Sequence, residues 1–384
     1  MTATVAAGAR TATPARTSET LRRLPFLLPG GLALLAGLDA ALMLLGLPAP
    51  VSSQRLPEVH GMLLVLGFVG TLIALERAVA LGRRTGFLAP GLLGAGAVLL
   101  VSPAPLVAGR SLLVAGAVAM TLVYVPLWRR QRDDAVLVQA LGAVLAVGAA
   151  TLWLGGVEVS ALLPWLAGFI VLTIAGERLE LARIAMGPAA GSTLVALTTA
   201  VVVTVVASLL WPEVGTPLLG LGLLVLVGWL AVHDVARRTI RSTGLVRYMA
   251  ASMLAGYFWL AVAGSVWLVG GPAAEGVRYD AVIHAVFLGF TMSMIMAHAP
   301  VILPAVLRRP LPYHPALLVP AVLLHLSLAL RLWVGDALGS QAGWELGGTL
   351  NISALLAFVI LVVWLVAAPP ATTPRRPSTT GATR

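Results

Sequence analysis

Apolar stretches of about 20 residues recur twelve times between residues 25 and 368, each long enough to cross a hydrocarbon layer about 30 Å thick. The spans read 25–47, 58–80, 86–103, 110–128, 134–156, 161–182, 190–211, 215–234, 245–270, 279–300, 315–334 and 344–368. With 59% hydrophobic and 10% charged residues and a mean hydropathy of +0.98, the composition leaves no room for a water-soluble domain. The sequence therefore predicts an all-α polytopic membrane protein with a single transmembrane domain, 25–368. The tails 1–24 and 369–384, rich in Thr, Ala, Pro and Arg, are predicted to be disordered. The first span is too long for the core of a signal peptide, so it is expected to remain as the first helix.

The net charge of +10 orients the chain rather than attracting nucleic acid. All 25 basic residues are arginines, and a cytoplasmic N-terminus puts all but Arg55, Arg110, Arg278 and Arg331 on the cytoplasmic side. That asymmetry follows the positive-inside rule and predicts a multi-pass protein of a bacterial-type inner membrane with both termini cytoplasmic. The lipid bilayer is then its main partner. There is no cysteine, which excludes disulfides, thiolate metal sites and cysteine nucleophiles.

An internal repeat refines the architecture. Residues 67–77 read GFVGTLIALER and residues 168–178 read GFIVLTIAGER, with Gly, Phe, Ile, Ala, Glu and Arg in common. GFTMSMIMAHA at 289–299 keeps Gly289, Phe290 and Ile295 and has His298 where the others have Glu76 and Glu177. These segments fall in the second, sixth and tenth spans, so the unit is four helices long. The expectation is three four-helix arcs in a pseudo-threefold arrangement, unlike the two six-helix halves common among transporters.

Six histidines exist, at 60, 233, 284, 298, 314 and 325. His60 and His284 lie at similar depth near the outer ends of two repeat-related helices. A neutral imidazole on each of two facing helices suits the two axial positions of a b-type haem. The alternative is that each ring bonds a carbonyl or water at the interface. Arg55 and Arg278 flank these helices, where they would meet haem propionates or lipid headgroups. His298 follows His284 by fourteen residues, about 21 Å along a regular helix and within about 40° of the same direction. It cannot reach the same iron. His298 and His325 stand as second metal ligands, proton relays or packing residues, and His233 and His314 as solvated helix ends. Glu76-Arg77 and Glu177-Arg178 read either as salt-bridged helix ends or as an inner proton-entry site. Asp39, inside the first span, must be paired or protonated.

Helices two and ten with outer-side histidines resemble the catalytic subunit of haem-copper oxidases and nitric oxide reductases. That resemblance implies low-spin haem ligation by His60 and His284. The chain departs from it in having no histidine between His60 and His233, and in having Val282 and Val286 beside His284. HGMLLVLGF and HAVFLGFTMSMIMAHAPVILPAVLRRPLPYHP, followed by a helix ending LALRL, are closer to the NnrS family, over 58–80 and 279–335. Here Arg309-Pro310-Leu311 lacks that pattern's preceding glycine. The NnrS likeness implies haem, with copper as a further metal, and a role in nitric oxide metabolism or stress through electron transfer or sensing, alongside a redox partner or respiratory subunit. The contrasting expectation is a proton-coupled transporter without haem, with Asp39, Glu76, Glu177, His298 and His325 as its ion path.

Overall fold

The computed structural model describes residues 14–309 and 311–367, and these are helical throughout apart from short connections. Twelve helices are long and apolar enough to cross a bilayer: α1 Arg23–Leu44, α2 Arg55–Leu81, α3 Arg84–Val101, α4 Leu106–Gln131, α5 Asp134–Leu154, α6 Val159–Met186, α7 Ala190–Leu210, α8 Pro212–His233, α9 Gly244–Gly270, α10 Gly276–Leu307, α11 Pro315–Ala337 and α12 Gln341–Ala367. Local chemistry marks their ends. Gly82 takes the left-handed conformation, φ 70°, that stops α2, Asp133 caps α5 by accepting the Ala135 amide at 3.0 Å, and Pro212 opens α8. The tail expected over 1–24 is helical from Pro14 onward, in line with α1. Residues 1–13 and the tail 369–384 lie outside the described residues.

The three helices that carry the repeat are the inner ones. In α2, α6 and α10 the most apolar stretch is 78%, 78% and 67% buried, against at most 56% elsewhere. An apolar helix in a bilayer gains nothing by being buried in protein, so this difference reflects packing between helices rather than hydropathy. α10 packs against α2, α6, α9 and α11, and α1 packs against α2, α3, α10 and α12. The outer helices present residues such as Leu122, Val203 and Val225 outward, a surface suited to lipid. The chain is a multi-pass membrane protein with a lipid bilayer as its surroundings.

Two of the inner helices are not regular. α2 is π-helical over Leu63–Gly70 and α10 over Ala285–Met292, in each case just after its histidine, while α6 is α-helical throughout. α11 has a third π segment, Leu330–Ala337. A π turn takes up more than 3.6 residues, so the count of 100° per residue between His284 and His298 does not hold across α10.

Candidate functional site

His60 and His284 line one cavity of about 380 Å³ towards the end of the bundle opposite the arginine-rich loops. The His60 Nδ1 lies 2.9 Å from the Gly37 carbonyl of α1, and the His284 Nδ1 lies 2.9 Å from the Asp280 carbonyl one turn earlier. A carbonyl only accepts, so each Nδ1 carries its hydrogen and each Nε2 keeps its lone pair. Gly37 permits the first contact, because a Cβ there would run into the Leu64 side chain.

Asp280 ties His284 to α11. Its Oδ1 lies 3.3 Å from His284 Nδ1, and Arg331 donates to both carboxylate oxygens, from Nε at 2.8 Å and Nη2 at 2.7 Å. The Arg331 guanidinium in turn rests on Trp344 of α12, 4.9 Å from the ring centre. The close passage depends on Gly347, where a Cβ would sit 2.6 Å from the Arg331 backbone nitrogen. Asp280, Arg331 and Trp344 all line the cavity. Sequence reasoning gave none of these a role in the site, although the four-residue spacing of Asp280 and His284 is a readable helix-face signal.

Arg55 and Arg278 do not line the cavity. Arg55 donates to the Ser102 and Ala104 carbonyls in the loop after α3, and Arg278 to the Gly270 carbonyl at the end of α9, so each closes a helix end. The positive charge at the cavity is Arg331. The remaining wall is largely aliphatic, with Asn351 among its few polar members.

A second cavity, about 560 Å³, lies on the arginine-rich side. Leu34, Phe68, Val69, Thr291 and Met292 line both cavities, so the two are stacked with a shared wall. Glu76, Glu177 and His298, the three repeat-equivalent residues, all face this inner cavity. Their partners differ. Glu76 pairs with Arg77 at 2.6 Å, and Arg77 also reaches Glu180 at 3.1 Å and Gln139 at 2.9 Å. Arg178 does not pair with Glu177 as a helix-end bridge. It binds Asp234 through two bonds of 2.8 and 3.0 Å, and its Nη1 donates to His298 Nε2 at 3.1 Å. The His298 Nδ1 donates to the Met294 carbonyl at 2.8 Å, so both nitrogens of that ring are engaged. Glu177 has no hydrogen bond or ion pair among the described residues.

Asp234 follows the end of α8 and also accepts from the Tyr257 hydroxyl at 2.7 Å. Burial alone would raise its carboxyl, but the Arg178 hydrogen bonds and charge outweigh that and hold it below the ordinary 3.8. His325 accepts from Trp259 Nε1 at 3.0 Å and lines neither cavity. Asp39 is buried, its Oδ1 accepting the Val51 amide at 3.2 Å and its Oδ2 without a partner among the described residues, and it too lies outside both cavities. His233 and His314 are exposed at helix ends.

Two imidazoles with free Nε2 atoms on one apolar cavity can hold a metal centre from opposite helices, and the volume lies in the range of small-molecule and cofactor sites. Among the described residues no group of three or more His, Asp or Glu side chains converges as a metal site. No curated protein matches the chain. Over residues 23–367 the chain matches the family described as "Domain of unknown function (DUF8744)", and it belongs to that family.

Proposed function

We propose that this protein binds a b-type haem in the outer cavity, with His60 and His284 as axial ligands, and works in electron transfer or sensing linked to nitric oxide metabolism or stress. The observation that carries the reading is that both imidazoles line one cavity with Nδ1 spent on a carbonyl and Nε2 left free. A bound haem supplies one-electron exchange at its iron. The chain's own residues orient and tune the site. Gly37 and Asp280 hold the two tautomers, Asp280 with Arg331 fixes the orientation of the His284 ring, and Arg331 is the cation available to a propionate. The aliphatic wall excludes water, which favours retention of a flat apolar cofactor.

The same reading includes a pseudo-threefold assembly of three arcs, α1–α4, α5–α8 and α9–α12, as in haem-copper oxidase-like proteins. It is supported by the burial of α2, α6 and α10 and by the convergence of Glu76, Glu177 and His298 on one cavity. Both termini lie in the cytoplasm, across a bacterial-type inner membrane, and a redox partner or respiratory subunit exchanges electrons with the haem. Purified protein is expected to have a Soret band and a redox-sensitive alpha band, both lost in His60→Ala and His284→Ala. A colourless wild type, or a spectrum unchanged in the double variant, refutes the assignment.

The inner cavity favours one competing reading, a proton-coupled transporter that uses Glu76 and Glu177. It predicts colourless protein and proton-dependent flux in vesicles.

A further inference from the structure

We infer that the inner cavity is a binding site for a membrane-borne hydroquinone, whose ring meets Glu177 and whose apolar tail leaves towards the lipid. This rests on the haem reading for its electron acceptor, but not for the binding site itself. Three observations lead to it. The cavity, about 560 Å³, is walled mainly by Leu, Ile, Val and Met, which suits an apolar ligand of small-molecule size. It opens near the arginine-rich end of α12, where the lining residue Val363 is 61% exposed and Ala367 and Arg309 are also exposed. An apolar rim at that height admits a molecule from the adjoining leaflet.

The polar end is selective. Of the three repeat-equivalent residues, Glu76 is taken by Arg77 and His298 by Arg178 and the Met294 carbonyl. Glu177 alone is left as a hydrogen-bond acceptor for a ligand. The Arg77 beside Glu76, and Arg309 at the mouth, offset the negative charge that a cationic amphiphile would require. A neutral hydroxyl donor fits better. The far wall is Phe68 and Met292, which also line the outer cavity, so the ring lies next to the proposed iron site.

With haem held by His60 and His284, one hydroquinone would reduce two ferric irons one electron at a time, giving one quinone, two ferrous irons and two protons. Each O–H bond breaks with its proton passing to the Glu177 carboxylate, which then releases it at the arginine-rich face.

Decylubiquinone and decylubiquinol are the probes, used on the purified full chain in detergent. Decylubiquinone is expected to quench tryptophan fluorescence saturably in wild type and in Glu177→Gln, whose amide oxygen still accepts, but not in Val359→Trp, which fills the cavity. Decylubiquinol is expected to reduce the haem of the wild type and to do so about 100-fold more slowly in Glu177→Gln, the loss typical of a removed proton acceptor. The dithionite-reduced spectra should stay alike in all three proteins, which separates a lost site from a lost fold. Equal quenching in Val359→Trp, or equal reduction rates in Glu177→Gln, overturns the inference. So does saturable quenching by dodecyltrimethylammonium without any by decylubiquinone. Saturable decylubiquinone quenching in a colourless protein would keep the site and remove the haem reading; a haem spectrum with no quenching would do the reverse.

Discussion

At the residue scale the most informative contacts are the ones that leave a side chain only one remaining capacity. His284 Nδ1 is spent on the Asp280 carbonyl, Asp280 is gripped by both sides of the Arg331 fork, and Arg331 is stacked on Trp344. Asp280→Asn keeps the shape but loses the charge behind the imidazole, and we expect it to weaken haem retention by about 10–100-fold, read by titrating haem into the apoprotein. Unchanged affinity would mean that Asp280 serves only to join α10 to α11. Arg178 and Asp234 make a different prediction, one of stability. Arg178→Leu strands a buried carboxylate and is expected to cost about 3–5 kcal/mol, measured as a lower thermal midpoint in detergent. Because the folded state holds Asp234 below its ordinary 3.8, its contribution is complete above that value and is lost as the pH falls below it. The gap between wild type and Asp234→Asn should therefore narrow in acid below pH 3.8, and a gap that is constant with pH would contradict the linkage.

At the scale of elements, the π segments of α2 and α10 set the rotation of each histidine relative to the rest of its helix. Deleting Val65 should let α2 close into a regular helix and turn His60 by about 100° relative to the inner half. The expected result is a protein that still inserts but has lost its Soret band, with size-exclusion behaviour unchanged. If the band survives, the π segment does not aim His60. Packing of α11 on α12 is similarly specific, since Gly347 faces the Arg331 backbone and a Cβ added at Gly335 would sit 2.7 Å from the Trp344 Cα. Gly347→Leu overpacks this contact and should cost about 1–3 kcal/mol in the same thermal assay. Both effects belong to helix geometry, which is why changing an exposed lipid-facing residue such as Leu122 should do neither.

On the whole-molecule scale, twelve crossings would put both ends of the chain on one face, and the arginine distribution is the basis for proposing that this face is cytoplasmic. The absence of cysteine makes this directly measurable, since a single introduced cysteine is unique. Arg84→Cys, at the exposed start of α3, should react with a membrane-impermeant maleimide only in inverted vesicles. Glu275→Cys, exposed between α9 and α10, should react in intact cells. The opposite pattern would reverse the assignment of the inner and outer cavities to the two sides of the membrane.

The number of membrane crossings and their approximate limits could be read from residue order alone, because hydropathy and length are local properties and the bilayer sets a fixed thickness. The likeness of GFVGTLIALER to GFIVLTIAGER was also legible, and it singled out helices that the structure places among the most buried, α2 and α6. His60 and His284 could be picked out as a pair by depth. What required the tertiary structure was partnership. Arg55 and Arg278 looked like the cavity's cations but close helix ends, while Arg331, from α11, lines the cavity and binds Asp280. Arg178 follows Glu177 in sequence yet pairs with Asp234, leaving Glu177 facing the inner cavity. Neighbours in sequence point about 100° apart on a helix, so the residue that satisfies a buried charge is supplied by whichever other helix packs against that face, and only the packed bundle decides which one that is.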